Sequence, residues 1–162
     1  MDTKNTELMV RKKGVITVSQ IGYIAPNMKM AMIAKNVFSE HGIEVAVEIG
    51  NIENGADKAE ALAKKGVKAF IARGGTTLSI RNRLDVPVIE ISIMIEDIVN
   101  ALLKASRFGN KIGIIGFYNL LNGLESFNPL LKIELKQVYV KNESQLYEEI
   151  YKAKKEGIDV II

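Results

Sequence analysis

The run Arg73-Gly-Gly-Thr-Thr77 is the stretch of this sequence best suited to chemistry. It follows a short apolar run, Ala69 to Ala72, and precedes a helical pattern. Two glycines let a backbone approach a ligand closely, and a helix N-terminus offers free N–H groups at the positive end of its dipole. Thr76 and Thr77 can cap that helix or bind an anion, and Arg73 can fork onto a carboxylate or phosphate. The same residues equally suit a tight strand-to-helix turn with Arg73 in a surface ion pair. The glycine spacing and the missing Lys-Ser/Thr ending exclude a P-loop, and no dinucleotide fingerprint is present.

Three further loops leave strands on the same side if the sheet is parallel: Ser19 to Gly22, Ser92 to Asp97, and Phe117-Tyr-Asn119. Ser19, Ser92, Tyr118 and Asn119 bring hydroxyl or amide groups to a cleft, and Phe117 brings a ring. Helix capping is an equal use for Ser19 and Ser92, as core or interlobe packing is for Phe117 and Tyr118. Glu90 and Asp97 could work as an acid/base pair, but a helix's first turn favours an acid such as Asp97 anyway. His41, just before Gly42, suits a helix C-terminus better than catalysis. Met28, Met30 and Met32 divide between core and surface rather than forming a metal site. The alternation from Lys132 to Lys136 reads as a strand with solvated lysines, not a nucleic-acid surface.

Composition bounds what these residues can do. The chain has 162 residues, 48% apolar and 25% charged, as in a globular domain with a real core. Lys plus Arg number 22 and Asp plus Glu 19, for a formal net charge of +3. So mild a balance gives no field of one sign to draw nucleic acid or a membrane. With no Cys and a single His, disulfides, thiolate zinc sites, cysteine nucleophiles and histidine-built metal sites are all excluded. No metal and no cofactor is expected. The polar N-terminus lacks a signal sequence and no apolar run reaches 18 residues, so the expected address is the cytoplasm, without membrane contact.

The elements that must position the loops alternate between strand and helix. Val15 to Val18 reads as a strand. Met30, Ile33, Ala34, Val37 and Phe38 share a helical face, with Pro26 before it and Gly42 as its stop. Glu44 to Ile49 is a strand, Ala59 to Gly66 a helix, Ala69 to Ala72 a strand, and Thr76 to Leu84 a short helix. Val86 to Ile91 is a fourth strand, with Pro87 at its start or at an edge. Met94 to Ala105 is helical, Ile112 to Phe117 a strand, and Leu120 to Phe127 a helix or loop. A strand within Ile133 to Val140, a helix from a Ser144 cap to Glu156, and the strand Asp159 to Ile162 complete the order. Such alternation predicts mostly parallel sheets with covering helices.

The two halves resemble each other. Lys64 to Ile71 looks like Lys154 to Ile162: the end of a basic helix, a glycine stop, an apolar strand. Lys13 to Val18 plays the part of Lys111 to Ile115. One reading is an α/β pair of Rossmann-like lobes, residues 1–92 (βαβαβαβ) and 93–162 (βαβαβ), with parallel sheets and a ligand cleft outside the strands' carboxyl ends. The other is a single doubly wound sheet. The apolar strand at Ile162 lacks a turn or cap, which leads to the expectation of a longer natural chain.

The block Ala72 to Ile91, with its Gly-Gly loop, helix and Asp-Val-Pro-Val before an apolar strand, resembles the N-terminal sensory domain of the propionate catabolism activator, PrpR type. Ser92 to Asp97 and Lys111 to Ile115 match in style, and the similarity covers roughly residues 13–162. The resemblance implies a sigma-54-dependent activator of the NtrC family, a periplasmic-binding-like two-lobed shape, and a sensory domain ahead of an AAA+ ATPase and a helix-turn-helix domain. It implies a non-catalytic role: a small anionic metabolite as effector (2-methylcitrate, a tricarboxylate, for the propionate members), held by Arg73, Gly74, Gly75 and Thr76. Partners would be the downstream domains, sigma-54 RNA polymerase through them, and a second copy in a homo-oligomer. Two rivals are a racemase-like two-lobed enzyme acting on a small carboxylate, which normally needs two cysteines, and a receiver domain, whose acidic cluster and switch lysine are missing.

Overall fold

A computed structural model describes residues 19–121, 123, 124 and 133–162. Its elements are β1 (Ile21–Ala25), α1 (Met28–Glu40), β2 (Val45–Ile49), α2 (Ile52–Lys64), β3 (Ala69–Arg73), α3 (Gly75–Arg83) and β4 (Val88–Ile91). There follow α4 (Ile95–Ala105), β5 (Lys111–Phe117), α5 (Tyr118–Leu121), β6 (Glu134–Val140), α6 (Glu143–Lys155) and β7 (Val160–Ile161).

The strands form two parallel sheets, a four-stranded one in the order β2-β1-β3-β4 and a three-stranded one in the order β6-β5-β7. The first strand of each half is central, flanked by the second and third, so the two halves share one topology. A single doubly wound sheet is thereby excluded. The central strands are the most buried ones. Ile112 to Phe117 is continuously buried, as a parallel strand covered on both faces requires.

Each sheet buries its faces against helices. Ile24, Phe70 and Ala72 pack with Ala56, Ala59 and Leu62 of α2 and Ile80 of α3. On the opposite face Tyr23 and Ala25 pack with Ala31, Met30 and Phe38 of α1. In the second half, Leu102 and Ala105 of α4 pack on Ile112 and Ile114. Ile115, Phe117 and Val140 pack with Ala153 of α6. Met28 and Met32 are exposed, unlike Met30. Among the described residues no helix is long and apolar enough to cross a membrane.

Some expected element bounds are met, some differ, and some lie outside the described residues. The expected first strand, Val15 to Val18, lies outside the described residues, and β1 is Ile21–Ala25. Gly22 lies within that strand because the Phe70 ring sits 2.7 Å from where its Cβ would be, a close approach that glycine alone allows. Helix α2 starts at Ile52, well before the apolar stripe, with Gly55 tucked under Thr76. The cap of α6 is Asn142, which accepts from the Gln145 N–H at 2.9 Å, while Gln145 reaches back to the Lys141 N–H. Ser144 therefore lies inside the helix. Pro87 immediately precedes β4, an edge strand. The stretch from Leu120 to Phe127 is described only in part, α5 being its first portion, and Lys132 lies outside the described residues.

Candidate functional site

Strand β3 carries Arg73 at its carboxyl tip, and the chain must then turn into α3. Gly74 makes that turn with φ 59°, a left-handed conformation that costs glycine almost nothing. Gly75 opens the helix. A Cβ there would lie 2.3 Å from the Phe117 ring, so the second half seats its β5 tip directly on the loop. Leu120 lies over Gly74, and Asn119 Nδ2 donates to the Gly74 carbonyl at 3.2 Å and to the Glu90 carboxylate.

Anion binding was expected at Gly74, Gly75, Thr76 and Thr77. All four are buried; Gly74 and Gly75 closely approach Leu120 and Phe117 of the other lobe. Thr76 Oγ1 accepts from the Ile52 N–H at 2.9 Å. That bond meets Ile52 at φ 45°, unusual for a β-branched residue, while the Ile52 side chain packs against the second half's cluster of Ile115, Phe117, Val140 and Ala153. Thr77 is fully buried and its hydroxyl finds no partner.

The open space lies on the other side of the β3 tip. A cavity of 320 Å³ is lined by Arg73 from the first half and otherwise by the second half: Ile93, Asp97, Ile98 and Ala101 in and before α4, and residues of β5 and α5. Positions 97, 98 and 101 share one face of α4 by helical spacing. Arg73 Nη2 meets Asp97 Oδ2 at 3.4 Å, with the Asp97 side chain 63% exposed. That makes a long, solvent-screened pair worth little. Arg73 Nε, by contrast, is buried and has no acceptor. Tyr23, on the neighbouring strand, buries a hydroxyl with no partner. Burial raises its pKa, and the Arg73 charge pulls the other way.

The remaining expected residues scatter. Ser92 is exposed between β4 and α4. Tyr118 is exposed and leans on Tyr139, ring centroids 5.7 Å apart. Phe117 and Asn119 are at the site, as contacts between lobes. Ser19 stands at the amino end of β1, within 2.6 Å of the Glu44 carbonyl, on the opposite edge of the sheet from Arg73. Ser19, expected to follow a strand, here precedes β1. Ser19 borders a larger hollow of 570 Å³ beside α1 and β2. It lies at the strands' amino ends, away from the carboxyl ends where ligands sit in such sheets. Glu90 and Asp97 do not pair; Glu90 meets Arg81 and Asn119. His41 caps α1 with its backbone. Tyr23 escaped the sequence reading, while Ile93 was expected only within the Ser92 to Asp97 loop and Ala101 only within the helix. Alternation along Ile21 to Ala25 would have placed Tyr23, had Gly22 not read as a loop.

Two parallel sheets of one topology, meeting at their carboxyl tips around a single arginine, define a two-lobed α/β domain. The family model of the propionate catabolism activator matches residues 39–162. The chain belongs to that family, in its N-terminal PrpR type, and is a regulatory domain of a transcription activator. A crystal structure of an NtrC family transcriptional regulator from Clostridium acetobutylicum is similar in fold, with a TM-score of 0.77 and 22% identity. The match covers 90% of this chain and 77% of that one.

Proposed function

We propose that this domain is a non-catalytic, cytoplasmic sensor whose effector is a small carboxylate anion held beside Arg73, between the lobes. Its occupancy is passed to an AAA+ ATPase and a DNA-binding domain of a sigma-54-dependent activator. One observation carries this reading: Arg73 lines the cavity, and its Nε has no acceptor. A buried charged donor left unpaired costs more than the about 1–3 kcal/mol of a neutral one. A carboxylate accepting from Nε and Nη2 together would make the bidentate pair that guanidinium geometry suits. Gly74, Gly75 and Asn119 serve in this reading as the joint between lobes and Thr76 as the tie between α3 and α2, not as ligand contacts.

A racemase-like enzyme is the weaker reading, because the chain has no cysteine. Titration calorimetry with small carboxylates tests the sensor. Arg73→Ala should weaken binding at least tenfold and leave the thermal midpoint nearly unchanged. Equal affinity in the variant removes Arg73 from the site.

A further inference from the structure

The walls of the Arg73 cavity differ sharply in kind. Its polar side chains are Arg73 and Asp97, and these are already loosely paired. The other side chains are aliphatic: Ile93, Ile98 and Ala101 on one side, Ile114, Leu120 and Leu121 on the other. Taking this cavity as the effector site, as above, we infer that it selects an aliphatic monocarboxylate and rejects di- and tricarboxylates.

Charge supplies the first reason. One guanidinium can neutralise one carboxylate, and here it already shares its charge with Asp97. A second or third ligand carboxylate would face the Asp97 anion or the isoleucine and leucine wall. An ion against an apolar wall loses its hydration and gains no partner. Size supplies the second. The cavity's 320 Å³ corresponds to about ten water-sized groups at roughly 30 Å³ each. That holds one carboxylate and an alkyl chain of roughly three to seven carbons. Each methylene then leaves water for the aliphatic wall, raising affinity roughly fourfold.

Calorimetry on the 162-residue chain decides the matter, with butanoate, hexanoate, octanoate, citrate, propane-1,2,3-tricarboxylate and hexan-1-ol as titrants. The expected result is affinity rising with chain length until the cavity is full, citrate and the tricarboxylate at least tenfold weaker than hexanoate, and the alcohol likewise. Ala101→Leu fills the cavity and should erase the gain from butanoate to hexanoate. Asp97→Asn, at an exposed position that folding tolerates, should tighten hexanoate severalfold by freeing the guanidinium. Tighter binding of citrate than of any monocarboxylate, lost in Arg73→Ala, would overturn this selectivity while leaving the sensor standing. Hexan-1-ol binding as well as hexanoate would also overturn it. If neither kind of acid binds, the sensor reading falls with it.

Discussion

Tyr23 and Arg73 lie on adjacent strands and on the same face, since Tyr23 pairs with Ile71 and side chains repeat every second residue. Only 1% of Tyr23 is exposed, and its hydroxyl has no acceptor. Burial disfavours the phenolate, so the pKa rises above the ordinary 10.0, Arg73 opposing this in part. The neutral form is the one compatible with the fold. Stability from this site is therefore complete below about pH 10 and is lost as pH climbs through the raised value. Tyr23→Phe removes the unpaired hydroxyl at constant ring packing. We expect it to stabilise the fold by about 1 kcal/mol at pH 8, and by more at pH 11, as measured by urea denaturation. A destabilised variant would mean that the hydroxyl has a partner. Thr76→Val should have the reverse effect, since it leaves the Ile52 N–H unpaired at a strained residue. A loss of about 1–3 kcal/mol is expected, with carboxylate affinity unchanged. Arg73 was legible in the sequence because a cation directly after a buried run has to sit at a strand tip. Tyr23 was not, because Gly22 and Pro26 bracket it with loop signals. The reason for Gly22 is the Phe70 ring of another strand.

Among the elements, the joint between α3 and β5 decides how the lobes meet. The βα alternation gave both elements away in the sequence, and the two glycines marked the turn. That those glycines are covered was invisible, because the covering side chains come from far along the chain: Asn119 and Gly74 are 45 residues apart. Glycine in a turn and glycine beneath a ring look alike in a sequence. The distinction can be measured. Gly75→Ala ought to gain helix propensity, about 1 kcal/mol. Its new methyl instead meets three atoms of the buried Phe117 ring, at 2.3 to 2.7 Å. Overpacking of this kind typically costs about 1–3 kcal/mol, so the net effect should be destabilising. Phe117→Leu should be destabilising alone yet less so, or not at all, in the Gly75→Ala background. A thermal-denaturation cycle showing additive effects would mean that the two residues do not touch.

At the scale of the whole molecule, the lobes touch on one side of the β3 tip and stand apart on the other. Phe117 and Asn119 close the side toward α3, Leu120 lies between that contact and the Arg73 cavity, and the cavity remains open on the side toward α4. A ligand at Arg73 therefore pulls on a body already pivoted at Gly74 and Gly75. Turning a 1:99 mixture of states into 99:1 takes about 5.5 kcal/mol of differential affinity. Two charge-assisted hydrogen bonds from Arg73 contribute roughly 1.5–3 kcal/mol each, so the fork on the carboxylate comes close to the requirement and alkyl burial adds to it. If closure follows, saturating hexanoate should slow amide exchange in two segments at once, Arg73 to Leu78 and Phe117 to Leu121, while the outer face of α6 stays unchanged. Phe117→Ala removes the pivot's filler. In that variant hexanoate should still slow exchange beside Arg73 but no longer across the joint. Protection confined to Arg73 to Leu78 in the unmodified chain would mean that binding is local and that the two lobes do not move as a clamp.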